Sequence, residues 1–313
     1  MLFRSFQMGL GDRTVSLYTN LAPALFIIPF FLFSATAGQL AEKYEKSRII
    51  RYVKLFEIVA MATATVGFYT HHTSLLLIVL FLMGVHSATF GPIKYAILPQ
   101  ALKPGELVGG NGLIETGTQL AMLIGMIVGS ALMEVAGWGT LLAGGVTVGV
   151  AIAGYLASRR IPLAPATAPE LKFNWNPFSE TVRVLRLTRR DRAVFNAVLG
   201  ISWFWFFGTV LIAQLPNYTL INLGGDGSVN ILVLTLFSIG TGVGSLLCER
   251  MSGRRIEVGL VPFGAFGLTA FGVDLFFARP GMALAHGLDW LAFLHAAGSW
   301  RVVMEQRDRK SVV

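Results

Sequence analysis

The sequence predicts an all-α integral membrane protein, and three observations carry that prediction. Hydrophobic residues make up 54% of the 313-residue chain, charged residues only 13%, and the mean hydropathy is +0.65. A soluble chain of this length needs far more charge to cover its surface. The apolar residues fall in runs of roughly 20, the length a helix needs to cross a bilayer with its backbone polar groups satisfied internally. Finally, the basic residues sit in every second connector.

The runs, in order, are Leu21–Leu40, Val53–Tyr69, Ser74–Leu98, Asn111–Met133, Trp138–Ala157, Ala193–Leu215, Val229–Cys248 and Val258–Ala278. Eight membrane helices are therefore expected. A ninth stretch, Leu288–Met304, is shorter and carries His295 and Arg301. After the first run come Lys43, Lys46, Arg48, Arg51 and Lys54; the connector around His71 and His72 has no base. Lys103 follows the third run and no base follows the fourth. The fifth is followed by a stretch running from Arg159 to Arg192, the sixth by a base-free connector, and the seventh by Arg250, Arg254 and Arg255. Such alternation is the positive-inside pattern, and it places the basic connectors in the cytoplasm. The formal charge of +8 is thus divided among loops, unlike the single basic surface that nucleic acid requires.

The chain repeats itself. TAGQLAEKYEKSRII at Thr36–Ile50 and TGVGSLLCERMSGRRI at Thr241–Ile256 each end an apolar run with a Gly, a Leu and a basic turn. Between them lies the polar stretch Ser158–Arg192. The expected organisation is an N-terminal helical repeat over 1–157, a basic cytoplasmic linker over 158–192 and a partial C-terminal repeat over 193–313. Parallel repeats of this kind suit a carrier that rocks around a midplane site. Within the linker, Pro177 is placed to open a helix with Phe178, Val182 and Leu185 on one face. It either lies along the membrane surface or forms part of a plain solvated connector.

GQLAEKYEKSR, from Gly38 to Arg48, resembles the signature turn of the major facilitator superfamily, which joins that family's second and third helices. Gly38, Leu40, Ala41, Lys43 and Lys46 fit the pattern; Glu42 replaces the usual Asp, and Glu45 stands where a turn Gly is normal. Together with FGPIKYAILPQ (Phe90–Gln100), ELVGGNGLIETGT (Glu106–Thr118) and GSLLCERMSG (Gly244–Gly253), it resembles the lysophospholipid transporter branch, which includes the carrier domain fused to an acyltransferase and an acyl-carrier-protein ligase. The resemblance implies a bacterial inner-membrane carrier moving lysophosphatidylethanolamine-type lipid for reacylation, with the bilayer and a coupled or fused acyltransferase as partners. It also implies a cytoplasmic latch made by Gly38, Glu42, Lys43, Lys46 and Arg48, echoed by Gly244, Glu249 and Arg250. Only one run precedes the first turn and one clear run follows the second, so the chain reads as helices two to nine of a twelve-helix bundle, cut at both ends. A different major-facilitator exporter, the membrane domain of a fused acyltransferase and a non-transporting remnant are the alternatives.

Ionisable residues inside a span are costly and mark pathways by default. Lys94, placed after a helix break expected at Gly91–Pro92, is a candidate for a lipid phosphate or for snorkelling to the interface. Glu115, with Gln119 beside it, is a candidate for pairing or proton response, and His86 lies two helical turns before Lys94. Glu57 and Asp274 are placed nearer an interface. Gly109, Gly110, Gly112, Gly117, Gly125 and Gly129 are expected to thin one face of the fourth span. No P-loop, nucleophile elbow or His-x4-Asp pair occurs, and Gly240, Gly242 and Gly244 lie inside an apolar run instead of after a strand. The single cysteine, Cys248, excludes an internal disulfide. No cofactor and no catalytic residue are expected.

Overall fold

A computed structural model of the chain describes residues 12–133, 135–221, 223, 225, 227–253, 259–277 and 289–295. The described residues form α1 (Asp12–Lys43), α2 (Lys46–Tyr69), α3 (Thr73–Ala96), the single turn α4 (Leu98–Ala101), α5 (Leu107–Met133), α6 (Gly139–Ser158), α7 (Pro177–Thr188), α8 (Arg192–Ile221), α9 (Gly227–Met251), α10 (Leu260–Phe277) and α11 (Trp290–His295). All eight expected spans fall on helices. Among the described residues, six segments, in α1, α3 to α4, α5, α6, α8 and α9, are long and apolar enough to cross a membrane. The α2 helix has the length, but its first half carries Lys46, Arg48, Arg51, Lys54 and Glu57. In α10 only Leu260–Ala270 is an apolar segment. Of the ninth stretch, α11 alone lies within the described residues.

The helices are apolar on their outer faces, as lipid requires. None of the apolar window in Arg192–Ile212 is buried within the protein, and Phe31, Leu113, Val150 and Trp203 stand open on four different helices. In water such a surface would be an aggregation site; against acyl chains it costs nothing.

The described residues gather into two compact units. The first comprises residues up to Ala101 together with Val128–Asp191. In it, α1 packs along α3, α2 packs against both α3 and α6, and α7 rests on α1. The α1–α3 crossing is close because Gly84 has no side chain: a Cβ there would lie 2.5 Å from the Phe26 carbonyl oxygen and 2.9 Å from Pro29 Cγ. Ala60, Ala64 and Val79 form one buried cluster between α2 and α3. Ala41, Ile50 and Ile93 form another at the basic end, with Ile161 of the linker packed against them. The helix break expected at Gly91–Pro92 does not occur; α3 runs on to Ala96 with Pro92 inside it.

The second unit comprises Leu102–Ile127 and the residues from Arg192 onward. Its buried cluster is Leu215, Leu223, Val229, Val233 and Phe293, so α11 closes over α8 and α9. Close approach of α5 to α9 uses Gly112, whose added Cβ would lie 3.0 Å from the Ser245 carbonyl oxygen, and Gly242, whose Cβ would lie 3.2 Å from Thr116 Cγ2. Among the described residues, the glycine face expected along the whole fourth span is thus confined to one end: Gly117, Gly125 and Gly129 meet nothing within 4 Å.

Candidate functional site

The charged turn after α1 is tied by several hydrogen bonds to distant backbone. Glu45 occupies the N-cap of α2 in an extended conformation, φ −65° and ψ 120°. One carboxylate oxygen accepts from the Ser47 N–H at 2.9 Å and the other from the Arg48 N–H at 2.8 Å, satisfying two of the donors a helix start leaves open. The first oxygen also accepts from the Ala164 N–H at 2.9 Å, across 119 residues of chain. Burial would push this carboxyl up, but the hydrogen bonds from Ser47, Ala164 and Arg48 outweigh it and hold it below the ordinary glutamate range.

Lys46 is only 2% exposed, and its ammonium is turned into the linker. It donates to the Pro165 carbonyl at 3.0 Å and the Thr167 hydroxyl at 2.8 Å, while its backbone N–H donates to the Ala164 carbonyl at 2.9 Å. Burial pulls its ammonium below the ordinary lysine value, against the attraction of Glu45 and Glu42. Gln39, equally buried, pairs with the backbone of Asn174 in both directions: its amide donates at 3.3 Å and its carbonyl accepts at 2.8 Å. The Glu42 carbonyl accepts from the N–H groups of Thr167 and Ala168, each at 2.9 Å. Gln100 donates to Pro165 and Arg51 to Ile161. Residues 161–174 therefore form a strap laid over the turn.

Within the expected latch, Lys46 is buried; its neighbour Glu45, which lies outside the expected set, is half-buried, and both bond to the strap. The side chains of Glu42 and Arg48 are exposed, and Lys43 stands over the Tyr44 ring at 5.9 Å. Gly38 has open space around it. In α9, Gly244 is buried and Arg250 exposed; the side chain of Glu249 lies outside the described residues, as does that of Asp274. Glu45 entered the sequence reading only as a departure from the family pattern. The available signal was an acid two residues before a serine at a helix start. Nothing local marked Gln39, because its partner is 135 residues away.

Deeper in the first unit, α2 and α3 bring together Lys54, Glu57 and His86. The Lys54 ammonium donates to Glu57 Oε2 at 2.7 Å, and His86 Nε2 lies 3.3 Å from the same oxygen. That second contact lacks hydrogen-bond alignment, and among the described residues neither ring nitrogen of the buried imidazole has a hydrogen-bond partner. Phe90 lies at the centre of the group, stacked on His86 at 5.9 Å and 4.7 Å below the Lys54 ammonium. Glu57 lies eleven residues into α2, about 16 Å along its axis and near its middle. His86 was expected to share a face with Lys94; its recorded neighbours are Glu57 and Phe90.

Lys94 sits in the last turn of α3, half-buried, with its ammonium 4.9 Å from the Tyr95 ring centroid. The apolar segment that contains it continues through α4 to Ala101. Glu115 and Gln119 are brought together on α5, one turn apart, with the Gln119 amide donating to the carboxylate at 3.0 Å. The adjacent Thr116 hydroxyl donates to the Gly112 carbonyl at 2.8 Å and approaches the Gly242 carbonyl at 3.4 Å. The polar pair thus lies beside the α5–α9 seam. Among the described residues, no group of three His, Cys, Asp or Glu side chains could hold a metal ion.

Comparison with known proteins agrees with this architecture. Three similar proteins carry the description lysophospholipid transporter LplT. That of Enterobacter sp. strain 638 is 27% identical over 272 residues, covering 84% of this chain and 64% of its own length. That of Serratia proteamaculans strain 568 is 25% identical over 298 residues, covering 92% and 71%. That of Escherichia coli O1:K1 is 27% identical over 303 residues, also covering 92% and 71%. The chain therefore spans between 64% and 71% of the length of these relatives. The sequence model of the Major Facilitator Superfamily matches residues 6–303, and the chain belongs to that superfamily of membrane transporters.

Proposed function

We propose that this chain is the carrier body of a bacterial inner-membrane transporter for lysophospholipid, of the lysophosphatidylethanolamine type, delivering it for reacylation. The observation that carries the reading is the similarity to lysophospholipid transporters along 84% to 92% of the chain. The site chemistry supports it. A single-chain lipid needs a cation for its phosphate, an acceptor for its ammonium and an apolar wall for its tail. Each unit by itself carries part of that chemistry: the first has the point charge of Lys94, the second the Glu115 carboxylate bonded to Gln119, and the helices of each supply an apolar wall. Lys94, Glu115 and Gln119 belong to the repeat over 1–157, and the turn at Gly38–Arg48 acts as the latch, closed by Glu45 and Lys46 upon the strap. Gly244, Glu249 and Arg250 form the corresponding turn of the second repeat. His86 contributes to the pathway through the Glu57 cluster.

The test is movement of radiolabelled lysophosphatidylethanolamine into proteoliposomes holding the full-length protein. Transport is expected from the unsubstituted protein, with Lys94→Ala slower by roughly 10-fold or more, since a hydrogen bond to a charged group is worth about 1.5–3 kcal/mol. No movement by the unsubstituted protein would sink the substrate assignment. Movement with an undiminished rate for Lys94→Ala would remove only the head-group contact.

A further inference from the structure

The linker helix α7 has a face that no described residue of the first unit covers. Asn176 caps it, its side-chain oxygen accepting from the Phe178 and Ser179 N–H groups at 3.1 Å each, and Pro177 opens its first turn. The helix is fixed by one side. Glu180 is 1% exposed; it accepts from Arg183 Nε at 2.9 Å and from the Asn174 amide at 3.2 Å, and Asn174 is the residue paired with Gln39 of α1. At 100° per residue, Phe178, Val182 and Leu185 project from the side opposite Glu180. All three are exposed, Phe178 at 62%. Trp175, just before the helix, is 85% exposed, with Phe173 against its edge at 4.7 Å.

Charge decides what covers this face. Arg186 stands exposed on its flank, and Arg189 and Arg190 follow in the turn beyond the C-terminus. The acid within the helix, Glu180, is buried and bonded to Arg183, while Asp191 follows Arg190 in the turn. Apolar and aromatic side chains on one face, with arginines beside them, match a membrane interface: rings at head-group level, hydrocarbon below and acidic phosphates alongside. The positive-inside rule puts this linker at the cytoplasmic leaflet.

We propose that α7, with Trp175, is a docking surface for acidic phospholipid: Phe178, Val182 and Leu185 enter the head-group boundary, and Arg186 and Arg190 hold lipid phosphates. The proposal does not depend on the transported substrate. Because the anchored side of α7 is bonded to the strap over Glu45 and Lys46, lipid bound outside is linked mechanically to the latch turn.

The test uses the full chain carrying Cys248→Ser and a spin label at Val182→Cys, in nanodiscs of phosphatidylglycerol or of phosphatidylcholine. The proposal expects oxygen to relax the label several-fold more than a water-soluble nickel chelate in phosphatidylglycerol. It expects the preference to fall by at least half in phosphatidylcholine, and in phosphatidylglycerol when Arg186→Gln and Arg190→Gln are added. Strong nickel relaxation in both lipids would show a solvated face and overturn the proposal. Equal lipid contact in both would overturn the acidic-head-group part. Shielding from both reagents would mean a protein covers the face, which also overturns it.

Discussion

Glu45 carries the sharpest expectation at the scale of single residues. Its carboxyl is held below the ordinary glutamate range in the folded protein, so it stabilises the fold when ionised. That contribution is present above the ordinary glutamate value and is lost as pH falls through the lowered folded value. Hydrogen exchange should therefore find residues 161–174 protected at pH 7 and progressively less so on acidification. Glu45→Gln should remove most of that pH dependence and cost about 1 kcal/mol of helix capping, since half-exposure weakens the electrostatic part. An unchanged acid profile in the variant would mean that another group controls the strap. Lys46 is the complementary case. Lys46→Met keeps the volume but leaves the Pro165 carbonyl and the Thr167 hydroxyl without their donor, at a cost of about 1–3 kcal/mol. Faster exchange of residues 161–174 in Lys46→Met, with the helices unaffected, is the expected signature.

At the scale of elements, helix contacts follow from where small residues actually meet a neighbour. Gly84→Val forces a side chain against the Phe26 carbonyl and should lower stability by about 1–3 kcal/mol through displacement of α1 from α3. Gly125→Ala, with open space around it, should leave thermal unfolding in detergent almost unchanged. Equal effects of the two would contradict the observed packing. The sequence reading put Gly125 on a close-contact face and did not single out Gly84, because a glycine in a lipid-facing turn and one at a helix crossing look alike until the partner helix is placed. The same limit applies to His86. Its period with Lys94 was visible, but the facing Glu57 on α2 was not, although the two helices are joined by a turn of three residues with His71 at φ 54°.

For the whole molecule, the testable property is its arrangement across the membrane. With Cys248→Ser as background, Tyr44→Cys and His72→Cys lie at opposite ends of α2, both exposed. A membrane-impermeant thiol reagent applied to intact spheroplasts should label His72→Cys and reach Tyr44→Cys only after permeabilisation. The reverse pattern would invert the orientation read from the basic connectors.

The residues by themselves determined the class, the helical segments, the alternation of basic ends and the resemblance to the superfamily. Each of these is local: hydropathy acts within one segment, and a lysine in a connector meets the membrane wherever the rest of the chain lies. Helix starts were legible for the same reason, as at Asn176–Pro177, where a cap and a fixed φ act on adjacent residues. Only the tertiary structure decided that the linker is a strap, that Glu45 and Lys46 close on it, that Glu57 meets His86, and which glycines form a seam. Those bonds join residues as much as 135 apart in sequence. Several end on backbone carbonyls and N–H groups, which every residue carries and no sequence pattern marks.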